Sequence, residues 1–477
     1  MSTVALEQSP APSAPRPVPW SPAELLPPLL LVAFGVVLLL PGHGLWFDEL
    51  FTAEVARRPL GDVLAAIGSG QGTTSYLANV PPAYNAPYYL VVNAWMALPG
   101  LGGDTSLRVL SLLAAAGGVA LVTRATGRLA GRATGVLAGV LLACSPLLIE
   151  QAVEARSYGL AVLATGGAAL GLVRWLQEPH RGVLLLGAAG AGMGLAHWYA
   201  VTVLAAFVTA AVLLRGRRAL PVVLAGFLGA LPAVGFVGLA VLNGTGSSNA
   251  EHLNDTDGRL VGLALEAWAG GRTPMLWVLL GLAVVGAVRG AGVRVVGSCW
   301  VVVPLLLLVT AELVRPVFLP RYLVAGLLGL AVLAAAGAMA LPRAARVPAA
   351  AVLVGCSLLA CVPLTDRGPR ERADDAVRLL AEEHRSGEPV VAADQRSALG
   401  LDHYVRVLAP QLRPDVVLPP EDAPADADRV WLVRRVIDGE PVPTDDDGIL
   451  LDAGLRIAQE HEFVGSKTRL VVQLWTR

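Results

Sequence analysis

Lysine is almost missing: Lys467 is the only one in 477 residues, and every other basic Lys/Arg position is arginine. Charge of either sign is scarce. Asp, Glu, Lys and Arg together make up 15% of the chain, where an ordinary soluble domain carries about 25%. Hydrophobic residues reach 55% and mean hydropathy is +0.61, which excludes a largely disordered chain and a single water-soluble core of this length. A formal net charge of −1 excludes the overall basic field that draws proteins to nucleic acid. The four cysteines, Cys144, Cys299, Cys356 and Cys361, lie in apolar runs without metal-ligand spacing, so they read as small core residues. Residues 1–22 are rich in Pro, Ala and Ser and lack a basic n-region and a clear cleavage site. They read as a disordered cytoplasmic N-terminus before a retained anchor.

What is present instead is a series of long apolar runs, at roughly 24–41, 107–124, 133–149, 157–175, 182–197, 199–214, 219–242, 274–288, 294–313, 322–341 and 347–364. A bilayer core of roughly 30 Å takes about 20 apolar residues as a helix. Lipid offers the backbone no partners, so each run predicts a helix, and the Gly and Ala content suits close packing between helices. Pro87–Pro99 is also apolar, but at about 20 Å as a helix it is short for a span. If it lies along the interface and the N-terminus is cytoplasmic, the inner turns carry Arg128 with Arg132, Arg174 with Arg181, Arg215 with Arg217 and Arg218, Arg289 with Arg294, and Arg343 with Arg346. Every tight inner turn is then basic, as the positive-inside rule requires.

The expected fold is mainly α: a polytopic membrane helical bundle of about 11 spans over residues 23–364, with a first outer loop at 42–106 and a second outer segment at 243–273. Residues 365–477 turn abruptly charged and Pro/Asp-rich. There RERADDAVRLLAEEHRSG reads as an amphipathic helix, and EPVVAAD, RVWLVRRV and RLVVQLW as strands, predicting a small extracytoplasmic α/β domain. The sequons Asn243–Thr245 and Asn254–Thr256 read as chance occurrences if the chain is bacterial.

Ionisable residues near a membrane are the informative ones, and most of them here cluster at the outer ends of spans. After the first run, GLWFDELFTAEVARRPL places Asp48 beside Glu49. Acids there suit a helix start, satisfying free N–H groups and complementing the dipole. They equally suit a general base beside a second acid. Neighbours on a helix point about 100° apart, so the two would have separate jobs. SPLLIEQAVEARSYGL packs Glu150, Glu154, Arg156 and Tyr158 into nine residues; a Glu–Arg pair at a helix end is the structural alternative. RPVFLPRYLVAG sets Arg315 and Arg321 outside, against the positive-inside bias. Snorkelling explains Arg315, whereas Arg321, beside Tyr322, offers a planar fork to a phosphate. AHWY brings His197, Trp198 and Tyr199 to an outer interface, where Trp and Tyr are ordinary belt residues and His197 is a candidate binding group.

Taken in order, WFDEL, PPAYNAPYYLVVNAWMALPG with LRVLS, SPLLIEQAVEARSYGL, AHWY and PRYLVAG resemble bacterial GT-C superfamily glycosyltransferases, in particular the protein mannosyltransferase and aminoarabinose transferase-like membrane enzymes. The resemblance covers about residues 24–340 and leaves the tail unassigned. It implies a polyprenyl-phosphate-linked sugar donor and a glycan, lipid or protein acceptor, with membrane lipids around the chain. It implies Asp48 as the base that deprotonates the acceptor hydroxyl, with Glu49 as its partner. The family's further acid in the second outer loop has two candidates here, Glu150 and Glu154. Arg156, Tyr158, His197 and Tyr322 become substrate-binding residues, and Arg321 a ligand of the donor phosphate. In-line attack opposite a departing phosphate implies inversion. No cofactor is required by the resemblance; a divalent cation (Mg or Mn) between the acids and the phosphate is a candidate, with Asp48, Glu49 and Glu154 as its candidate ligands. A transporter or lipid flippase would need mid-membrane charges or inverted repeats, and the sequence contains neither. A non-enzymatic envelope-assembly protein recruiting partners through its tail is the third class.

Overall fold

The computed structural model describes residues 20–78, 80, 86–244, 259–271, 273–290, 292–314, 318–424, 426–437, 440–442 and 444–477. Most of the N-terminal segment, Arg315, Thr245 and the sequon at Asn254 lie outside the described residues.

Helix α1 (Pro22–Leu39) leads into three short helices, α2 (Phe47–Arg57), α3 (Leu60–Ser69) and α4 (Ala86–Met96). The bundle continues with α5 (Asp104–Ala130), α6 (Arg132–Ala143), α7 (Pro146–Ala152), α8 (Tyr158–Gln177), α9 (Val183–Ala196), α10 (Val201–Arg215) and α11 (Leu220–Leu242). It closes with α12 (Leu260–Ala269), α13 (Pro274–Arg289), α14 (Arg294–Glu312), α15 (Val324–Ala340) and α16 (Arg343–Cys361). Among the described residues, seven helices are long and apolar enough to cross a membrane, or up to nine if each bent pair is one span. That is fewer than the eleven runs lead one to expect, for two reasons. Helix α9 has only 14 residues, about 21 Å. And α10 and α11 run on as one 45-residue helical stretch, through a 3-10 turn at Gly216–Ala219.

Helix α15 is almost wholly buried and packs on α13, α14 and α6. Glycine makes the α13–α15 crossing possible: a Cβ on Gly337 would lie 1.9 Å from the Leu282 carbonyl oxygen, and one on Gly286 1.9 Å from that of Leu333. Such close backbone approach is the way helices associate where lipid removes the hydrophobic driving force. The arginine-rich turns gather at one end of the bundle. Gln177 at the end of α8 donates to Arg128 O at 2.9 Å, and Arg215 at the end of α10 donates to Leu176 O at 2.7 Å.

At the opposite end two features turn the chain sideways. Ser145, with Pro146 behind it, caps α7 (Ser145 Oγ accepts from Leu148 N at 3.5 Å), so α7 leaves the axis of α6 at 67°. Helix α4, 11 residues long, packs against α2 and carries Tyr88, Tyr89 and Val92 into a core. That core is shared by the segment between α1 and α5 and the C-terminal region: Leu45, Leu50 and Val55 join Val377, Leu399, Tyr404 and Trp431.

The C-terminal region holds α17 (Ala373–Glu383), β1 (Val390–Ala392), α18 (Gln395–Leu408), β2 (Val416–Val417), β3 (Arg429–Ile437), β4 (Glu440–Pro441), α19 (Asp445–Asp452), β5 (Arg456–Val464) and β6 (Arg469–Thr476). Its sheet order is β2-β1-β3-β6-β5, with β4 on β3. β1 is parallel to β2 and β3, and β3, β6 and β5 are antiparallel. The segments expected as strands fall on β1, β3 and β6. The edge strand β5 was hidden by its charges (RIAQEHEFV, mostly exposed), a composition that protects an edge from further pairing.

Candidate active site

The N-terminus of α2 is held from several sides. Leu45 N donates to the Tyr404 hydroxyl at 2.5 Å and Phe47 N to Glu371 Oε2 at 3.0 Å, so residues of the C-terminal region cap the first turn. Glu371 is buried, and burial pushes its carboxyl up to about 7 against the Phe47 hydrogen bond. This clamp presents Asp48 and Glu49 in different directions.

Glu49 is fully buried. Arg108 of α5 grips it twice, Nε to Oε1 at 2.8 Å and Nη2 to Oε2 at 2.5 Å, and Ala155 N donates to Oε1 at 2.8 Å. Arg108 spends its other donors on His43 O at 2.6 Å and Gly44 O at 2.9 Å. The pair ties α2, α5 and the α7–α8 turn together. Arg108 lies inside the quoted LRVLS segment, but the sequence reading assigned it no role.

Asp48 is 19% exposed and its Oδ2 meets Arg156 Nη1 at 2.6 Å and Arg321 Nη2 at 3.5 Å. Arg156 is set by the α7–α8 turn, where Ser111 Oγ donates to Arg156 O at 2.9 Å. There is no room for a side chain behind it: a Cβ on Gly159 would lie 2.2 Å from Ser111 O. Around the two arginines stand aromatic rings from three turns. Tyr158 lies 5.0 Å from His197, His197 lies 5.2 Å from Tyr322, and Tyr322 stacks on Tyr199 at 4.7 Å. The Trp46 ring faces Arg321 at 6.0 Å and Arg370 at 4.9 Å. Arg321 Nε and Trp46 Nε1 are buried and have no hydrogen-bond partner among the described residues. Sequence positions separated by up to 324 residues (46 and 370) thus meet in one place.

Beyond Trp46 a cleft of about 380 Å³ is lined by Leu39, Glu154, Glu150, Arg367, Arg370 and Lys467, among others. Glu154 Oε1 pairs with Arg370 at 2.5 Å, while its Oε2 is buried without a partner among the described residues. Burial pushes its carboxyl up to about 7, Arg370 pulling it back and Glu49 and Glu150 adding to the rise. Glu150 pairs with Arg367 at 2.5 Å and Arg370 at 2.6 Å. Neither Arg367 nor Arg370 was a candidate from sequence. Both follow the last apolar run on the expected outer side, so the positive-inside criterion applied to Arg321 would have flagged them too.

Among the described residues the acids expected as metal ligands are instead paired with guanidinium groups. Glu49 is consumed by Arg108 and a backbone N–H, Asp48 by Arg156, and Glu154 Oε1 by Arg370. Among the described residues no group of three or more His, Cys, Asp or Glu side chains is placed to hold a metal. Guanidinium groups supply the positive charge at these acids.

The architecture is that of a multi-pass helical membrane bundle with an acid–arginine site at one end, covered by a sheet-containing C-terminal region. It is shared with solved structures at low identity. ArnT from Cupriavidus metallidurans, bound to undecaprenyl phosphate and in its apo state, matches with TM-scores of 0.56 and 0.58 and 14% identity, over 93% of this chain and 97% of that one. An oligosaccharyltransferase from Archaeoglobus fulgidus, in complex with Zn and sulfate, matches with a TM-score of 0.51 and 11% identity, over 81% of this chain and 61% of that one. No protein-family model and no curated protein matches the chain.

Proposed function

We propose that the chain is a GT-C glycosyltransferase that moves a sugar from a polyprenyl-phosphate donor to an acceptor hydroxyl at the outer face of the cytoplasmic membrane. The observation that carries this reading is Asp48, partly exposed, between Arg156 and Arg321, with Arg321 Nε and Trp46 Nε1 buried and unpartnered beside it. Those two donors and the guanidinium forks suit a phosphate; the fold neighbour bound to undecaprenyl phosphate supports a lipid-linked one. A phosphate that engages Arg321, the looser partner of Asp48, releases a carboxylate lone pair to the acceptor. The acceptor O–H proton then passes to Asp48 as the oxygen forms its bond to the anomeric carbon. The bond from that carbon to the phosphate oxygen breaks, its electron pair leaves with the phosphate, and the arginines hold the charge as it develops. Attack and departure on opposite faces invert the centre. The stacked Tyr199–Tyr322 pair and His197 offer flat surfaces for a sugar ring.

In this reading each of the eleven apolar runs is one span, the long Trp198–Leu242 stretch, about 65 Å as a helix, being two. The basic turns face the cytoplasm, and residues 365–477 form an outer domain on the first outer loop. The test is sugar transfer in membranes supplied with polyprenyl-phosphate sugar. Asp48→Asn is expected to abolish transfer with unchanged protein level, and Arg321→Ala to weaken donor use. Near-wild-type transfer by Asp48→Asn refutes the assignment.

A further inference from the structure

A second group of arginines lies at the far end of α2. Arg57, Arg58, Arg406 of α18 and Arg413 of the 3-10 turn Pro410–Asp415 line a cleft of about 510 Å³ between the first outer loop and the C-terminal helices. Two carboxylates answer them. Glu54, 1% exposed, meets Arg57 and Arg406 at 3.3 Å each and also Arg58. Asp402 takes Arg406 and, at 2.8 Å, the Tyr76 hydroxyl. Behind them His403 Nδ1 lies 3.2 Å from Arg57 Nη2 and its Nε2 3.0 Å from Asp104 Oδ1, so Asp104 is a third acid near Arg57. Four guanidinium groups against the two paired carboxylates and the nearby Asp104 leave a surplus of positive charge.

Two further observations point to a ligand. Arg406 Nε and Thr74 Oγ1 are buried at this cleft and have no hydrogen-bond partner among the described residues. Arg413 is exposed and forms no ion pair among the described residues. Like charges gathered on one buried carboxylate repel, and a bound anion relieves that repulsion. Planar, paired N–H donors match the oxygens of a phosphate, whereas a neutral sugar would not call for surplus charge.

We propose that this cleft binds a phosphate group, at a site separate from Asp48 and independent of the transfer chemistry. Free phosphate and a phosphate-bearing envelope polymer offer the same group. The full-length protein in detergent is titrated with inorganic phosphate and with a short poly(glycerol phosphate), against sodium chloride of matched ionic strength, by calorimetry and thermal shift. Both phosphate probes should bind above the chloride baseline, and Arg413→Ala or Arg58→Gln should weaken each by about tenfold. Tighter binding of the polymer supports a polymer as the source, and equal binding supports free phosphate. A response no larger than chloride overturns the proposal. So does binding that survives both cleft variants and is lost in Arg321→Ala, which would place it at the Asp48 site.

Discussion

Asp48 and Glu49 are adjacent acids on one helix turn, and their surroundings predict opposite consequences for the same chemical change. Glu49→Gln keeps the volume but removes the charge from a fully buried carboxylate that accepts from Arg108 Nε, Arg108 Nη2 and Ala155 N. The amide of Gln cannot accept at both ends, so one Arg108 N–H faces another donor and the guanidinium loses its counter-charge in the interior. Breaking a buried pair from one side costs about 3–5 kcal/mol, which for a chain of this length corresponds to a fall in apparent Tm of roughly 3–5 °C. Asp48→Asn acts on a carboxylate that is 19% exposed although its partner Arg156 is buried; the amide keeps a carbonyl to accept from Arg156, so the smaller cost of about 1–2 kcal/mol is expected. The assay is a thermal scan of full-length protein in detergent beside sugar transfer in membranes. Glu49→Gln should lose stability, and transfer in step with it; Asp48→Asn should nearly keep its Tm and lose transfer. The Glu49→Leu, Arg108→Met double variant should recover much of the Tm, because replacing both members of a buried pair by apolar groups is often neutral. A wild-type Tm for Glu49→Gln, or failure of the double variant to exceed either single one, would refute the structural role.

Glu154 and Glu371 are each pushed up to about 7 in the fold, mainly by burial, from an ordinary value of 4.5. The folded state therefore holds protons that the unfolded chain releases, and stability falls as pH rises from about 4.5 to 7, by at most about 3 kcal/mol per group. Apparent Tm should be higher at pH 5 than at pH 7.5, and Glu371→Gln should flatten that slope; a slope unchanged in the variant counts against it. Gly337→Leu should prevent α13 and α15 from meeting, because its Cβ alone would lie 1.9 Å from Leu282 O, and should be read as lost monodisperse protein on gel filtration. Arg370→Ala removes the cation shared by Glu150 and Glu154; it should lower stability at pH 7.5 more than at pH 5.5, and an equal effect at both would argue that Glu154 is already charged throughout.

Much of the bundle was legible without coordinates. A helix in lipid is the one local solution open to an apolar run, so hydropathy located the helices, and the arginine turns did gather at one end. The span count was less legible, since it depends on whether a short helix such as α9 crosses and on how α10 meets α11. In the C-terminal region β1, β3 and β6 announced themselves by apolar β-branched runs. β5 did not, because an exposed edge strand carries charges that resemble a loop. At the site, Asp48 and Arg156 were legible as ionisable residues clustered at the expected outer ends of runs, and Arg321 as a charge against the positive-inside bias; the structure brings the three together. Glu49 and Glu150 were legible as acids, but their partners Arg108, Arg367 and Arg370 were not, so their surroundings stayed hidden.

The division has a physical cause. Periodicity, hydropathy and charge bias are local quantities, and they decide which segments become helices and at which ends polar residues collect. Whether a carboxylate is free to take a proton or is bound into the frame depends on the side chains opposite it. For Asp48 and Glu49 these come from residues 108, 155, 156 and 321, and for the turn that carries them from 371 and 404. No local pattern encodes those meetings. Packing alone decided that one of two neighbouring acids faces a pair of arginine forks and the other is sealed against Arg108.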